Sequence, residues 1–234
     1  MQQAAIEIEG LRFGWRPESP VLDIPALSVG QGESLFLRGP SGSGKSTLLG
    51  LIGAVLTPDA GHIRVLGQDL GGMGGAARDR FRANHLGVIF QLFNLLPYLS
   101  VLENVVLPCR FSKLRRQRAL ARAGSLDEEA LRLLEHLQLA DPQLLRRPVS
   151  QLSVGQQQRV AAARALIGSP EILVADEPTS ALDADIRDAF INLLLQEAGR
   201  AGSSLLFVSH DAALAPHFEH QLDLTQINVA AGGN

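Results

Sequence analysis

The sequence predicts an α/β fold built on a mainly parallel sheet, and two observations carry that prediction. Short apolar runs recur at Ser34–Leu37, Leu86–Phe90, Glu171–Ala175 and Leu205–Val208, as strands buried on both faces do. The first of them leads directly into Gly39-Pro40-Ser41-Gly42-Ser43-Gly44-Lys45-Ser46-Thr47 and then into Leu48-Leu49-Gly50-Leu51-Ile52. That is a strand, a glycine-rich turn and the start of a buried helix, in the order of a phosphate-binding P-loop. With 234 residues, 46% of them hydrophobic and 19% charged, the chain is long enough to bury a sizeable core.

The loop has a chemical reading residue by residue. Gly39, Gly42 and Gly44 let the backbone curl so that successive N–H groups, with those of Ser41, Ser43 and Thr47, converge on an anion. The helix that starts there adds the positive end of its dipole. Lys45 is placed to neutralise β- and γ-phosphates, and the Ser46 hydroxyl to ligate Mg²⁺.

Before the loop, Ile6, Ile8, Leu11 and Phe13 alternate with polar residues, which predicts a strand with one wet face. Trp15 follows in Phe13-Gly14-Trp15-Arg16-Pro17, where glycine and proline end the strand. A lone tryptophan is usually core; here its flat ring is also a candidate to stack on an adenine. After the loop's helix, Thr57–Gly61 reads as a turn, His62–Leu66 as a short strand and Gly71–Gly75 as a flexible surface loop.

The apolar run at Leu86–Phe90 hands over to Gln91 and then to Leu92–Leu99, apolar but broken by Pro97. Two readings stand side by side there: a docking surface, or packing inside a subdomain. Arg110, Lys113, Arg115, Arg116, Arg118 and Arg122 form a basic cluster, read as a solvated face in preference to a contact with anionic lipid. Helical spacing at Ala130, Leu131, Leu134 and Leu137, with Asp127, Glu128 and Glu129 in the first turn, predicts a helix. The pattern therefore places a helical insertion between the halves of the core from about 92 to 150. With the helix that follows, the insertion extends to about 165.

That helix opens at Ser150–Arg159, with Ser153 as a natural N-cap and hence a second helix start able to face an anion. Glu171–Ala175 ends in Asp176-Glu177. Adjacent carboxylates at the C-terminal end of a strand lie where α/β sheets bind ligands. Asp176 fits the Mg²⁺ shell and Glu177 fits a general base for an attacking water. Leu205–Val208 ends at Ser209-His210-Asp211, which places His210 to hydrogen-bond a γ-phosphate.

Composition excludes several classes. A formal net charge of −3 gives no basic field for nucleic acid. One cysteine, Cys109, cannot form an internal disulfide. Met1-Gln2-Gln3-Ala4-Ala5 carries no basic n-region, and no apolar run approaches the roughly 20 residues of a membrane span. Work at a membrane would therefore need a partner.

Taken together, these motifs resemble the nucleotide-binding subunit of an ABC transporter, in the family's order and over nearly the whole chain. Gly39–Thr47 matches the Walker A loop, and Gln91 the glutamine of the Q-loop. Leu152–Gln156 is similar to the signature motif, although Val154 stands where glycine is usual. Ile172–Glu177 matches Walker B, Ser180–Asp183 the D-loop and His210 the switch histidine. Trp15 is the candidate for adenine stacking, with Phe13 the alternative.

The resemblance implies a P-loop core with an N-terminal antiparallel β subdomain and an inserted helical subdomain, as one unit over 1–234. It implies ATP and Mg²⁺ as ligands, with Gln91 joining Ser46 and Asp176 at the metal. Two copies would sandwich ATP head to tail, so that Ser153, Gly155 and Gln156 of one face the P-loop of the other. It also implies an integral membrane permease, which would hold the cassette at the cytoplasmic face. The segment Gly87–Pro97 is most similar to the branch that serves lipoprotein release and macrolide export, whose permeases carry large extracytoplasmic domains. A cassette of the cell-division type that moves no cargo, or a soluble ABC ATPase, remains an alternative.

Overall fold

The computed structural model describes residues 4–16, 18–139, 141–180 and 182–232. Met1 to Gln3, Pro17 and Ala181, used above, lie outside them. The chain begins with β1 (Ala4–Phe13), β2 (Leu22–Gly30) and β3 (Ser34–Arg38), followed by α1 (Lys45–Ile52). Next come β4 (Ala60–Val65), β5 (Gln68–Asp69), α2 (Gly75–His85) and β6 (Leu86–Ile89).

A run of helices follows: α3 (Val101–Val106), α4 (Pro108–Phe111), α5 (Lys113–Ala123), α6 (Leu126–His136), α7 (Pro142–Leu145) and α8 (Val154–Leu166). The chain then returns through β7 (Ile172–Asp176), α9 (Ala184–Ala201), β8 (Ser204–Val208), β9 (His220–Asp223) and α10 (Leu224–Ile227).

Two sheets result. One is antiparallel, in the order β2-β1-β4-β5; the other is parallel, in the order β6-β7-β8-β3-β9. This is the expected fold class, with a parallel core, an N-terminal antiparallel sheet and helices inserted between β6 and β7. Parallel strands need covering on both faces, and the side chains of the central strands divide accordingly. Phe36, Leu173, Leu205 and Phe207 pack towards α3, α6, α8 and α9. Leu35, Leu37, Ile172, Val174, Leu206 and Val208 pack towards α1 and the antiparallel sheet.

In β1 the alternation changes phase midway. Ile6 and Ile8 face inward, then Leu11 and Phe13, because the pairing with β4 slips between Glu9 and Arg12. The extra residue shifts the inward set from even to odd positions.

Three local expectations change. Gly75 belongs to α2 and not to a loop that runs through it. The turn expected over Thr57–Gly61 ends where β4 begins, at Ala60. The basic cluster is no solvated face throughout. Arg115 is 3% exposed and donates to the carbonyls of Leu86, Arg164, Ala165 and Ile167. Those carbonyls are largely the unpaired C-terminal end of α8, which a cation suits. Burial lowers the Arg115 pKa to about 10, so the charge persists at neutral pH.

β6 approaches this end of α8 closely. A Cβ on Gly87 would stand 2.3 Å from the Ala165 carbonyl oxygen, so only glycine fits.

Candidate nucleotide site

The carboxyl ends of four neighbouring parallel strands deliver the candidate residues to one edge. β3 feeds the loop 39–44, β6 leads to Gln91, β7 ends in Asp176-Glu177 and β8 in Ser209-His210. That edge is where open α/β sheets bind ligands. A cavity of about 560 Å³ lies there. Its lining includes Trp15, Gly42, Lys45, Gln91, Glu177 and His210, with Ser41, Gly44, Ser46, Thr47 and Asp176 beside them.

The loop is shaped to hold an anion. Gly42 has φ +81, and a Cβ there would meet nothing within 4 Å, so the backbone is bare to the open space. Helix α1 starts at Lys45 with no side-chain cap. Its first N–H groups lack both an intrahelical acceptor and a capping oxygen, which is what an anion supplies. Lys45 Nζ donates to the loop's own carbonyls, Gly39 O at 2.7 Å and Pro40 O at 2.9 Å. A phosphate would compete with those carbonyls for the ammonium. Ser43 Oγ is buried and has no hydrogen-bond partner among the described residues, a further orphan donor in the same loop.

Across the cavity, Ser46 Oγ donates to Asp176 Oδ2 at 3.3 Å. Burial pushes the Asp176 carboxyl above its ordinary pKa; the Ser46 hydrogen bond opposes this and the neighbouring Glu177 charge adds to it. His210 Nδ1 stands 2.9 Å from both carboxylate oxygens of Glu177, and Ser209 Oγ donates to Glu177 Oε2 at 3.3 Å. Glu177 sits at φ 46, a left-handed backbone that costs a non-glycine residue about 1–2 kcal/mol. Its N–H is anchored on Val208 O at 2.9 Å, and Gln158 of α8 donates to the next carbonyl, Pro178 O, at 2.9 Å.

Trp15 is 66% exposed on the cavity rim, edge-on to Phe13 at 5.2 Å, whereas Phe13 is 8% exposed and packs in the core. Of the two aromatics, Trp15 is the one placed to meet a ligand. Ser153, Gly155 and Gln156 do not line this cavity. They form the start of α8, where Ser153 Oγ accepts from Gln156 N and Gln156 Oε1 accepts from Ser153 N, a closed capping box. Val154 beside them is exposed.

The profile of the ABC transporter family matches residues 22–180. The chain belongs to the ABC transporter family. It is a transporter's ATP-binding cassette, an ATPase whose hydrolysis is coupled to transport.

The cassette is 41% identical to the lipoprotein-releasing system ATP-binding protein LolD of Anaeromyxobacter dehalogenans, covering 97% of this chain and 93% of that one. It is 39% identical to the macrolide export ATP-binding/permease protein MacB of Chromobacterium violaceum over 96% of its own length but only 34% of that protein. A dimeric structure of the ATP-binding cassette MJ0796, in a post-hydrolysis state bound to ADP and Pi, superposes with a TM-score of 0.80 at 32% identity, covering 93% of each chain.

Some residues that shape the site left no motif. Asn104 is fully buried; its side chain accepts from Leu96 N and donates to the carbonyls of Leu96, Leu99 and Ser100. It holds the far end of the segment after Gln91. Arg164 holds the near end, donating to the carbonyls of Phe93 and Asn94. Beside these clamps Leu92 and Tyr98 are 83% and 73% exposed. Both readings of Leu92–Leu99 thus hold in part, because Phe93 packs inward while its neighbours face out. Beside the segment lies a second cavity of about 670 Å³, lined in part by Val88, Phe90, Leu107, Phe111 and Arg164.

Proposed function

We propose that the cassette acts as one unit over residues 1–234, with its helical insertion at about 92–165, and binds and hydrolyses ATP with Mg²⁺ in the cavity at the sheet edge. One observation carries the reading: a lysine, a hydroxyl–carboxylate pair and a glutamate–histidine pair converge on one nucleotide-sized space. In this reading Lys45 and the N–H groups of residues 39–47 bind the phosphates, and Trp15 stacks on the base.

The residues present suit a small hard cation. Among the described residues no group of three His, Cys, Asp or Glu could hold a metal ion. Mg²⁺ needs less, keeping several waters and taking one or two carboxylates plus phosphate oxygens. Ser46, Asp176 and Gln91 would hold it, and its charge would offset that of the β- and γ-phosphates. Glu177 takes the proton of the attacking water, while His210 orients Glu177 and reaches the γ-phosphate.

Dimeric MJ0796 supports a pair of cassettes, and in this reading the pair is head to tail, as the family resemblance implies. Ser153, Gly155 and Gln156 would then meet the partner's nucleotide, giving it a second helix start. No helix among the described residues is long and apolar enough to cross a membrane. The name of MacB, an ATP-binding/permease protein of which this chain covers 34%, supports a permease partner; in this reading it is a separate subunit with a large extracytoplasmic domain, holding the cassette at the cytoplasmic face, as the similarity of Gly87–Pro97 implies. The apolar groove beside Phe90 and Phe111 is where that permease would dock.

Lys45→Ala should abolish ATP binding and turnover together. Glu177→Gln should retain MgATP, lose about 10²–10⁴-fold in rate and accumulate an ATP-bound dimer, measurable by phosphate release and light scattering. Normal turnover by Glu177→Gln would exclude Glu177 as the base.

A further inference from the structure

We infer that Arg164 is a positioning residue that sets the place of Gln91, by clamping the loop behind Gln91 to the helix whose start carries Ser153. The inference rests on Gln91 serving in the Mg²⁺ shell, as in the function proposed above.

Arg164 lies in the last turn of α8. One guanidinium nitrogen donates to Asn94 O at 2.7 Å and another to Phe93 O at 2.5 Å. Phe93 and Asn94 are two consecutive non-glycine residues in left-handed backbone, at φ 59 and φ 49, two and three positions beyond Gln91. Such a pair persists only where its surroundings hold it. The planar fork of arginine holds the two carbonyls on separate nitrogens in a fixed geometry, whereas a lysine would offer a single donor atom on a flexible stem.

The grip is itself anchored. Arg115 donates to the carbonyls of Arg164 and Ala165 at 3.3 and 2.6 Å, fixing the end of α8 from which Arg164 reaches. Six residues earlier on the same helix, Gln158 holds the carbonyl after Glu177. One helix therefore holds both the loop after Gln91 and the loop after Glu177. Arg164 also lines the apolar groove with Leu107 and Phe111. A segment seated there would touch the clamp directly.

The test compares the full-length wild type with Arg164→Ala, Arg164→Lys, Gln91→Ala and the Arg164→Ala/Gln91→Ala double variant. The readouts are ATP binding in EDTA, the Mg²⁺ concentration for half-maximal hydrolysis, and amide exchange over 91–96 and 154–166. Arg164→Ala should leave metal-free ATP affinity within about twofold. It should raise the Mg²⁺ requirement roughly tenfold, the loss typical when a group that orients a metal ligand is removed. Exchange should speed up over 91–96 and not over 154–166. In the double variant the Mg²⁺ requirement should match that of Gln91→Ala alone, because the two act through one contact.

An unchanged Mg²⁺ requirement, or exchange that rises equally along α8, overturns the inference. If Arg164→Ala does not fold, Arg164→Lys must still raise the requirement, and its failure to do so overturns the inference too. A wild type inert towards MgATP would instead overturn the function proposed above.

Discussion

Asp176 ends β7 with a single hydroxyl donor and with the charge of Glu177 beside it, and its carboxyl pKa is raised mainly by burial. A carboxyl whose folded pKa lies above its unfolded value destabilises the fold as pH rises through that range, because the unfolded chain ionises more readily. Asp176→Asn removes this penalty, so the nucleotide-free cassette should become more stable at neutral pH. A gain on the order of 1 kcal/mol would raise Tm by about 2–4 °C for a chain of this size. The same variant should lose the further rise that MgATP gives the wild type, since the carboxylate is then missing from the cation site. A lower Tm for empty Asp176→Asn in calorimetry would show that the Ser46 hydrogen bond outweighs the buried charge. The residues proposed to meet phosphate, metal and water were legible because their spacing is itself the chemistry. Arg115, Arg164 and Asn104 were not, because their partners are main-chain carbonyls and amides, which leave no pattern in a sequence.

Helices α1 and α8 both begin at proposed phosphate contacts, yet they begin differently. α1 has no side-chain cap, and Gly44 precedes it at φ 97. α8 is closed by the reciprocal bonds of Ser153 and Gln156. An open start gains most from an anion, while a capped start is already formed when the anion comes. Ser153→Ala should therefore cost about 1 kcal/mol in urea unfolding of the empty cassette. It should also weaken the ATP-bound dimer that Glu177→Gln accumulates. A dimer of undiminished strength would place the partner's nucleotide elsewhere. Elements such as α8, β3, β7 and β8 were readable from apolar runs and caps. β2 was not, since Asp23 and Pro25 interrupt it and it lies at a sheet edge where such residues are tolerated. α2 buries only Phe81 among arginines and opens on glycine, so it has no apolar stripe to detect. β9, His220–Asp223, is a short edge strand that exists through its pairing with β3.

At the scale of the whole molecule, the helical insertion must stay attached to the sheet for motion at one to reach the other. Part of that attachment is electrostatic and gathers on Glu171, at the entry to β7. Arg118 of α5 donates to one carboxylate oxygen at 2.6 Å, and His85 at the end of α2 stands 3.1 Å from the other. Burial alone would raise the Glu171 pKa, but these two hydrogen bonds outweigh it and lower it from 4.5 to about 2. A depressed folded pKa contributes stability that is present in full above the unfolded value and is lost as pH falls through the folded one. The window is therefore about pH 4.5 down to 2. Glu171 is partly exposed, so solvent screening reduces the contribution to on the order of 1–2 kcal/mol. Glu171→Gln keeps the shape and removes the charge. At pH 7 it should be less stable than wild type by that amount, and the two thermal stability curves should converge as the pH approaches 2. A difference between the curves that stays constant from pH 7 to pH 2.5 would mean that the Glu171 charge takes no part in holding the insertion to the sheet.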